Sequence, residues 1–292
     1  MNTVHDEQQY LDLIQEIMDR GDTRSDRTGT GTLSVFGRQM RFCLRDNKIP
    51  LFTTKRVYWR GVVEELLWMI RGSTDSNQLA ERKVHIWDAN GTREFLDNQG
   101  FHNREQGDLG PVYGYQWRHW GRPYNGPVDA EERGGTDQLQ QCVDLLRNNP
   151  TSRRIVMSSW NVGDIPYMAL PPCHVLCQFY VSSKRELSCQ LYQRSCDMGL
   201  GVPFNVASYS LLTHMMAQVC DLRPVELVYT MGDAHVYLNH VEALTEQCTR
   251  VPNPPPYILL NEKVHEMDEW RSEYINLVDY NSHSKISMPM SV

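Results

Sequence analysis

The chain has 292 residues, 40% of them hydrophobic and 22% charged, which is enough for a full mixed α and β core. A formal net charge of −7 disfavours binding to nucleic acid or an anionic membrane surface through bulk charge, so an anionic ligand needs a local cluster of arginines. The first seven residues lack the basic flank and apolar stretch of a signal peptide, no apolar run is long enough to span a bilayer, and the eight cysteines show no Cys-x-x-Cys spacing; a soluble, intracellular, cytoplasmic protein with reduced thiols is expected.

Tyr10, Leu11, Ile14, Ile17 and Met18 recur at helical spacing, and Gly21 closes that first helix. The polar turn Asp26-Arg27-Thr28-Gly29-Thr30-Gly31-Thr32 leads into Leu33 to Leu44, where alternating apolar residues predict a strand or a hairpin. Residues Val57 to Arg71 are apolar almost all round and stop at Gly72, which predicts a deeply buried helix carrying Glu64 and Glu65. Leu139 to Leu146 predicts a helix and Ile155 to Trp160 a strand. Val175 to Val181 reads as a strand covered on both faces, paired with a second around Leu187 to Tyr192. Phe204 to Cys220 predicts a long apolar helix, Val225 to Tyr229 a short strand, and His235 to Cys248 a further helix. The mixture is that of an α/β or α+β fold in a single domain over 1–292, with surface insertions near 91–107 and 121–135.

Leu170-Pro171-Pro172-Cys173-His174 places a thiol behind two prolines at a strand entrance. Proline fixes φ and restricts its neighbour, so Cys173 leaves the loop in a defined direction; a buried structural thiol is the alternative reading. Arginines gather in three unusual contexts: Arg27 in the glycine-rich turn, Arg153 and Arg154 before a strand, and Arg194 beside Ser195 at a strand end. Guanidinium forks and a hydroxyl match a phosphate monoester, or pair individually with carboxylates. Glu65, inside an apolar helix, either pairs with an arginine or keeps a raised pKa suited to proton shuttling. The run Gln193 to Asn205 joins a strand to the long helix and puts Asp197 on a loop and Asn205 near the helix start, where each can read a planar ring or, for Asn205, act as a cap. His235 and Tyr237, at the start of the next predicted helix, can donate to a sugar hydroxyl or simply pack. Cys173, Cys177 and His174 have no second ligand pair at a zinc spacing, so no metal is expected.

As one ordered pattern, Asp26-Arg27-Thr28-Gly29-Thr30-Gly31, Glu64-Glu65-Leu66-Leu67-Trp68, Ile86-Trp87-Asp88, Gly107-Asp108-Leu109-Gly110-Pro111-Val112-Tyr113-Gly114, Leu170 to His174 and Tyr192-Gln193-Arg194-Ser195 resemble the thymidylate synthase family, over the whole chain. Asp88-Ala89-Asn90-Gly91 and the two insertions look like its animal or animal-virus branch. The resemblance implies a layered fold with a large mixed sheet flanked by helices, one sheet face serving a homodimer. It implies dUMP as substrate and 5,10-methylenetetrahydrofolate as co-substrate, with dTMP and dihydrofolate as products, no metal or membrane partner, and no need of nucleic acid for activity.

By that similarity Cys173 attacks C6 of the uracil ring and makes C5 nucleophilic. Arg27, Gln193, Arg194 and Ser195 bind dUMP, with Arg153 and Arg154 reaching over from the other subunit, and Arg194 favours the Cys173 thiolate. Asn205 reads the pyrimidine edge, where related cytosine hydroxymethylases carry aspartate. His235 and Tyr237 bind the deoxyribose. Glu65, Tyr113 and His174 manage protons through water, with Asp197 and Asn205 contributing to catalysis. Ile86, Trp87, Asn90, Asp197, Leu200, Gly201, Phe204 and Ser291 enclose the folate, and Lys55 attracts its glutamate tail.

The sequence departs from the family at Asn161-Val162, where Asn-Pro is usual, and in Tyr280 to Ser284, which lacks two usual prolines. Fewer prolines leave more backbone entropy to lose when the C-terminal segment closes over folate, which predicts slightly weaker folate retention. A pyrimidine hydroxymethylase of the same fold and a catalytically silent nucleotide-binding or RNA-binding regulator are the rival readings. The second would lack the nucleophile or a phosphate arginine, and neither is missing. A Cys-His hydrolase is disfavoured because adjacent strand residues point to opposite faces.

Overall fold

A six-stranded mixed sheet organises the molecule. The computed structural model describes residues 5–127 and 134–290. In chain order the helices are α1 (Gln8–Arg20), α2 (Trp59–Ile70), α3 (Asn77–Glu81), α4 (Asp88–Gly91), α5 (Arg93–Asn98), α6 (Tyr113–His119), α7 (Gln138–Asn148), α8 (Gly201–Val219) and α9 (Val241–Cys248). The strands are β1 (Asp22–Arg24), β2 (Thr32–Cys43), β3 (Val156–Ser158), β4 (His174–Val181), β5 (Glu186–Asp197), β6 (Arg223–Tyr237), β7 (Tyr257–Leu260) and β8 (Ile275–Val278). The main sheet has the order β1-β2-β6-β5-β4-β3, and β7 and β8 form a separate antiparallel pair.

Among the described residues only β5 and β6 pair in parallel. Parallel neighbours need a crossover, and α8 supplies it. That helix is buried nearly all round and packs on β5, β6 and α2, as its lack of a polar stripe demands. α2 is likewise buried from Gly61 to Ile70, which carries Glu64 and Glu65 into the interior. It meets α6 at close range: a Cβ on Gly114 would lie 2.5 Å from the Met69 carbonyl oxygen, so glycine there lets the two backbones approach.

Ahead of α2, the buried Glu7 carboxylate accepts from the backbone N–H and hydroxyl of both Thr53 and Thr54 at 2.6–2.8 Å, fixing the segment that leads to Lys55. Among the described residues no helix is long and apolar enough to cross a membrane, and no group of His, Cys, Asp and Glu is arranged to hold a metal ion. All eight cysteines are unpaired.

Three predicted elements change. The short strand expected at Val225 to Tyr229 runs on to Tyr237, so His235 and Tyr237 lie on β6 and not on a helix; α9 begins only at Val241. The cause is pairing on both sides, with β2 from Thr32↔Tyr237 onward and with β5 up to Asp197↔His235, which satisfies backbone groups that a helix would have claimed. Secondly, β4 is covered on one face only: Cys177, Phe179 and Val181 are buried, whereas Gln178 and Tyr180 (66% exposed) face outward. Finally, the segment 91–107 is not wholly superficial, because α5 inserts Leu96 into the core. Of the second insertion, 128–133 lie outside the described residues, as does Ser291.

Candidate active site

Cys173 stands immediately before β4, where the β4–β5 register shifts between His174 and Leu176. Such a bulge bends a strand and re-aims its first side chains, and bulges recur beside active sites. The loop is held on both sides. The Cys173 amide donates to the Tyr113 hydroxyl at 2.9 Å, and its carbonyl accepts from the Arg194 amide at 2.9 Å. The Arg194 guanidinium donates to the carbonyls of Pro172 and Pro171 at 2.8 and 3.0 Å and lies over the Trp160 ring. Proline lacks an N–H but keeps its carbonyl acceptor, and the guanidinium fork takes both of these.

Burial pushes the Cys173 thiol above its ordinary pKa, and Arg194, Tyr113 and Arg27 offset only part of that rise. Arg194 favours the thiolate, as expected, without setting the net direction. Its charge acts in that direction but is outweighed by desolvation in the free protein.

A chain of rings runs inward from Cys173. Tyr113 stacks on His174 at 4.0 Å between centroids and meets Trp87 edge-on at 6.0 Å. His174 is hydrogen-bonded through Nδ1 to the Tyr209 hydroxyl at 2.7 Å, and burial lowers its pKa to about 3, so the ring is neutral around pH 7. Trp87 Nε1 donates to Glu65 Oε1 at 2.7 Å. Glu65 is 7% exposed and its pKa is raised by burial to about 7, with the Trp87 bond opposing. Of the two adjacent glutamates it is Glu64 that takes the arginine, Arg82 at 3.1 Å, which leaves Glu65 able to exchange a proton near neutrality.

A second group forms where β5 meets α8. Gln193, 1% exposed, receives the Tyr229 hydroxyl at 2.7 Å on Oε1 and donates to Asn205 Oδ1 at 3.2 Å and to the Ser195 carbonyl at 3.0 Å. Asn205 is thus oriented from behind and lies inside α8, not at its cap, which falls at Leu200. Asp197 is the last residue of β5 and not part of a loop. It accepts from the Gly199 amide at 2.8 Å. Burial would raise its pKa, but His240, His235 and the Gly199 amide together lower it, so it is ionised.

Gly201 lies between Asp197 and Asn205, since a Cβ there would stand 3.6 Å from Asp197 Cβ and 3.7 Å from Asn205 Oδ1. His235 is bonded to Asp233 at 3.1 Å and crosses Tyr237 edge-on at 5.3 Å. Phe204 approaches Gly61 on α2, where a Cβ would stand 3.4 Å from its ring.

The remaining expected residues are placed less uniformly. Arg27 is exposed in a turn that Asp26 organises by accepting from Thr28 and Gly31. Ile86 is half-buried on the approach to Trp87, and Asn90 is buried in α4. Lys55 is buried, not solvent-facing: it donates to the Gly199 carbonyl, and burial lowers its pKa to about 8. Arg153 and Arg154 are exposed ahead of β3, at the sheet edge opposite β1 and β2.

Sequence reasoning missed Trp160, Tyr209, Tyr229 and His240 as parts of this arrangement. Tyr209 was within reach, because it lies one helical turn beyond Asn205 on the same face of α8. The other three join the site through partners distant in sequence: Trp160 through Arg194, Tyr229 through Gln193 and His240 through Asp197.

Comparison with known proteins identifies the family. Residues 8–292 match the family model for thymidylate synthase. A thymidylate synthase of Herpesvirus ateles is 58% identical over 292 residues, all of both chains. The human thymidylate synthase is 56% identical over 288 residues, 99% of this chain and 91% of that protein. The Ascaris suum thymidylate synthase is 56% identical over 292 residues, 100% of this chain and 99% of its own. With full-length identity at this level and the motif residues gathered around Cys173, the chain belongs to the thymidylate synthase family.

Proposed function

We propose that Cys173 is the nucleophile of this family's reaction, the reductive methylation of dUMP to dTMP with 5,10-methylenetetrahydrofolate as co-substrate, and that the pocket between α2, β5 and α8 is where it occurs. The observation that carries the reading is a thiol presented at the mouth of β4 with its amide held by Tyr113 and its carbonyl by Arg194. The folate supplies the one-carbon unit and the hydride. The chain's own residues bind, orient and move protons.

Arg27, Arg194 and Ser195 hold the phosphate. A bound dianion shares the Arg194 charge, so the cation must serve both phosphate and thiolate. Cys173 forms a bond to C6 and the electron pair moves through C5 to O4, making C5 the nucleophile. Asn205, with Oδ1 already accepting from Gln193, donates through Nδ2 to O4 and accepts from N3–H. After C5 takes the one-carbon unit, its proton leaves through Tyr113 and water, and Glu65 exchanges the proton at O4. The bond from the transferred carbon to the folate nitrogen breaks as the C5 proton leaves, and hydride then adds to that carbon while the sulfur bond to C6 breaks, which leaves a methyl group, the restored ring and the free Cys173 thiolate. His174 stays neutral and keeps the Tyr113 hydroxyl in place. Asp197 faces the pterin, Trp87, Asn90, Leu200 and Phe204 enclose it, and His235 with Tyr237 holds the sugar. The donor set fits such a ligand: one ionised carboxylate beside an aromatic wall.

The outward sheet face, with Gln39, Gln190 and Thr230 hydrogen-bonded across it and Tyr180 exposed, is the surface we assign to a homodimer. Arg153 and Arg154 then complete the partner's phosphate site. A cytoplasmic setting accords with eight unpaired thiols.

The test is turnover of dUMP with methylenetetrahydrofolate, followed by dihydrofolate absorbance; product formation without that signal would indicate a hydroxymethylase instead. Asn205→Asp removes the donor to O4, and its expected result is a fall of about 10²-fold in kcat/KM for dUMP with a relative gain for dCMP. Unchanged uracil preference would remove Asn205 from ring reading.

Tail closure gives a further expected result. Three hydrogen bonds pin residues 281–284: Arg250 donates to the Ser284 carbonyl at 2.7 Å, the His283 amide to the Thr53 carbonyl at 2.7 Å, and the Asn253 side chain to the Asn281 carbonyl at 3.0 Å. These anchors offset the missing prolines. Ser282→Pro with Ser284→Pro should lower the folate KM by about twofold, on the order of 0.4–1 kcal/mol for each restricted residue before that offset. No decrease would show that the anchors already restrict the tail.

A further inference from the structure

His240 follows β6 by three residues and is completely buried (0% exposed), yet its two ring nitrogens face groups of different origin. Nε2 is 2.7 Å from the Pro289 carbonyl oxygen, in the C-terminal tail. Nδ1 lies 3.7 Å from Asp197 Oδ1, an ion-pair distance, with no hydrogen-bond partner. The ring's other neighbours are Tyr237, edge-on at 5.5 Å, and the turn at Gly199. A Cβ on Gly199 would stand 2.5 Å from His240 Nδ1 and 3.0 Å from Met288 Sδ, so a larger residue would separate ring and tail. Lys55 reaches the same turn through the Gly199 carbonyl, with Met288 Sδ at 3.7 Å.

We propose that His240 is a positioning residue for the folate: as an imidazolium it donates to the Pro289 carbonyl and holds the Asp197 carboxylate, so that one protonated ring ties the docked tail to the group that faces the pterin. The inference rests on the folate role of Asp197. A neutral imidazole has one N–H and can serve only one of these two acceptors; the imidazolium serves both.

The groups facing the ring are Asp197 from β5, Tyr237 from β6, Lys55 from the segment before α2, and the Pro289 carbonyl. Burial would lower the pKa of His240, and Lys55 does so too, but Asp197 and the Pro289 carbonyl outweigh them and raise it. The linkage is therefore strongest at low pH and weakens as pH rises through the raised value.

In the full-length wild-type chain the folate KM should rise from about pH 6 to about pH 8. His240→Gln should raise the folate KM about tenfold at pH 6.5 (about 1.4 kcal/mol), flatten that pH dependence, and leave the dUMP KM within about twofold. A chain ending at Met288 should show a raised folate KM to which His240→Gln adds little, because the shared acceptor is gone. Lys55→Met should keep the rise between pH 6 and about 7.5, since Lys55 itself titrates near 8.

Equal increases in both KM values, additive effects in the shortened chain, or a pH dependence that survives in His240→Gln would each overturn the proposal. If His240→Gln does not fold, loss of the pH dependence in the shortened chain alone is the supporting result, and its retention the opposing one. Asp197→Asn separates this inference from the reading beneath it. An unchanged folate KM in that variant removes the folate role of Asp197 itself. A raised KM there with none in His240→Gln removes only the coupling.

Discussion

Cys173→Ala is expected to lower kcat for dUMP by about 10⁴-fold or more while leaving equilibrium binding of dUMP within a few fold. The size follows from losing the group that forms the bond to C6: without it C5 is not nucleophilic, and residual rate comes only from positioning. Binding should persist because the groups proposed to hold dUMP lie elsewhere: Arg194, which is anchored to the Pro171 and Pro172 carbonyls, and Asn205, which is held by Gln193. Because burial keeps the free Cys173 thiol above its ordinary pKa, kcat/KM of the wild type should climb toward alkaline pH. Dihydrofolate absorbance measures the first effect and calorimetric titration of dUMP the second. Activity near wild type in the alanine variant would remove Cys173 from the mechanism.

Glu65→Gln should separate stability from activity. Burial raises Glu65 from an ordinary 4.5 to about 7, so between those values the folded chain holds a proton that the unfolded chain releases. The native state then binds more protons, and stability falls as pH rises through that window, by up to about 3 kcal/mol. Glutamine keeps an acceptor for the Trp87 N–H and never ionises. The variant should therefore melt near the wild type at about pH 5 and several degrees above it at about pH 8. Its kcat should drop by about 10²–10⁴-fold, the usual worth of a general acid or base. Thermal melts at the two pH values and steady-state rates provide the check. An equal melting difference at both would show that Glu65 ionises in the folded state as it does in the unfolded chain, with no raised pKa. Intact turnover would remove it from proton transfer.

The residues proposed as nucleophile and phosphate ligands stand out because their local chemistry is unusual in sequence: two prolines ahead of a thiol, and arginines in turns and strand ends. Glu65 was legible for the same reason, a carboxylate in an apolar helix. Its partner was not, since Trp87 lies 22 positions away and Arg82 had to be assigned to Glu64. Likewise the periodicity of residues 230–240 is ambiguous when read alone, and a helix was expected where a strand forms.

The sequence by itself determined the covalent and electrostatic inventory: which groups can attack, ionise or fork onto a phosphate, and the α and β content that carries them. Tertiary structure decided which of these groups share an environment. Pairing of β6 with both β2 and β5 turned His235 and Tyr237 into strand residues, and burial raised Cys173 and Glu65 while Asp197 stayed ionised beside His240. Side-chain type and spacing are local properties. Desolvation and charge pairing depend on neighbours brought from distant positions, and those neighbours exist only once the sheet has closed around its crossover helix.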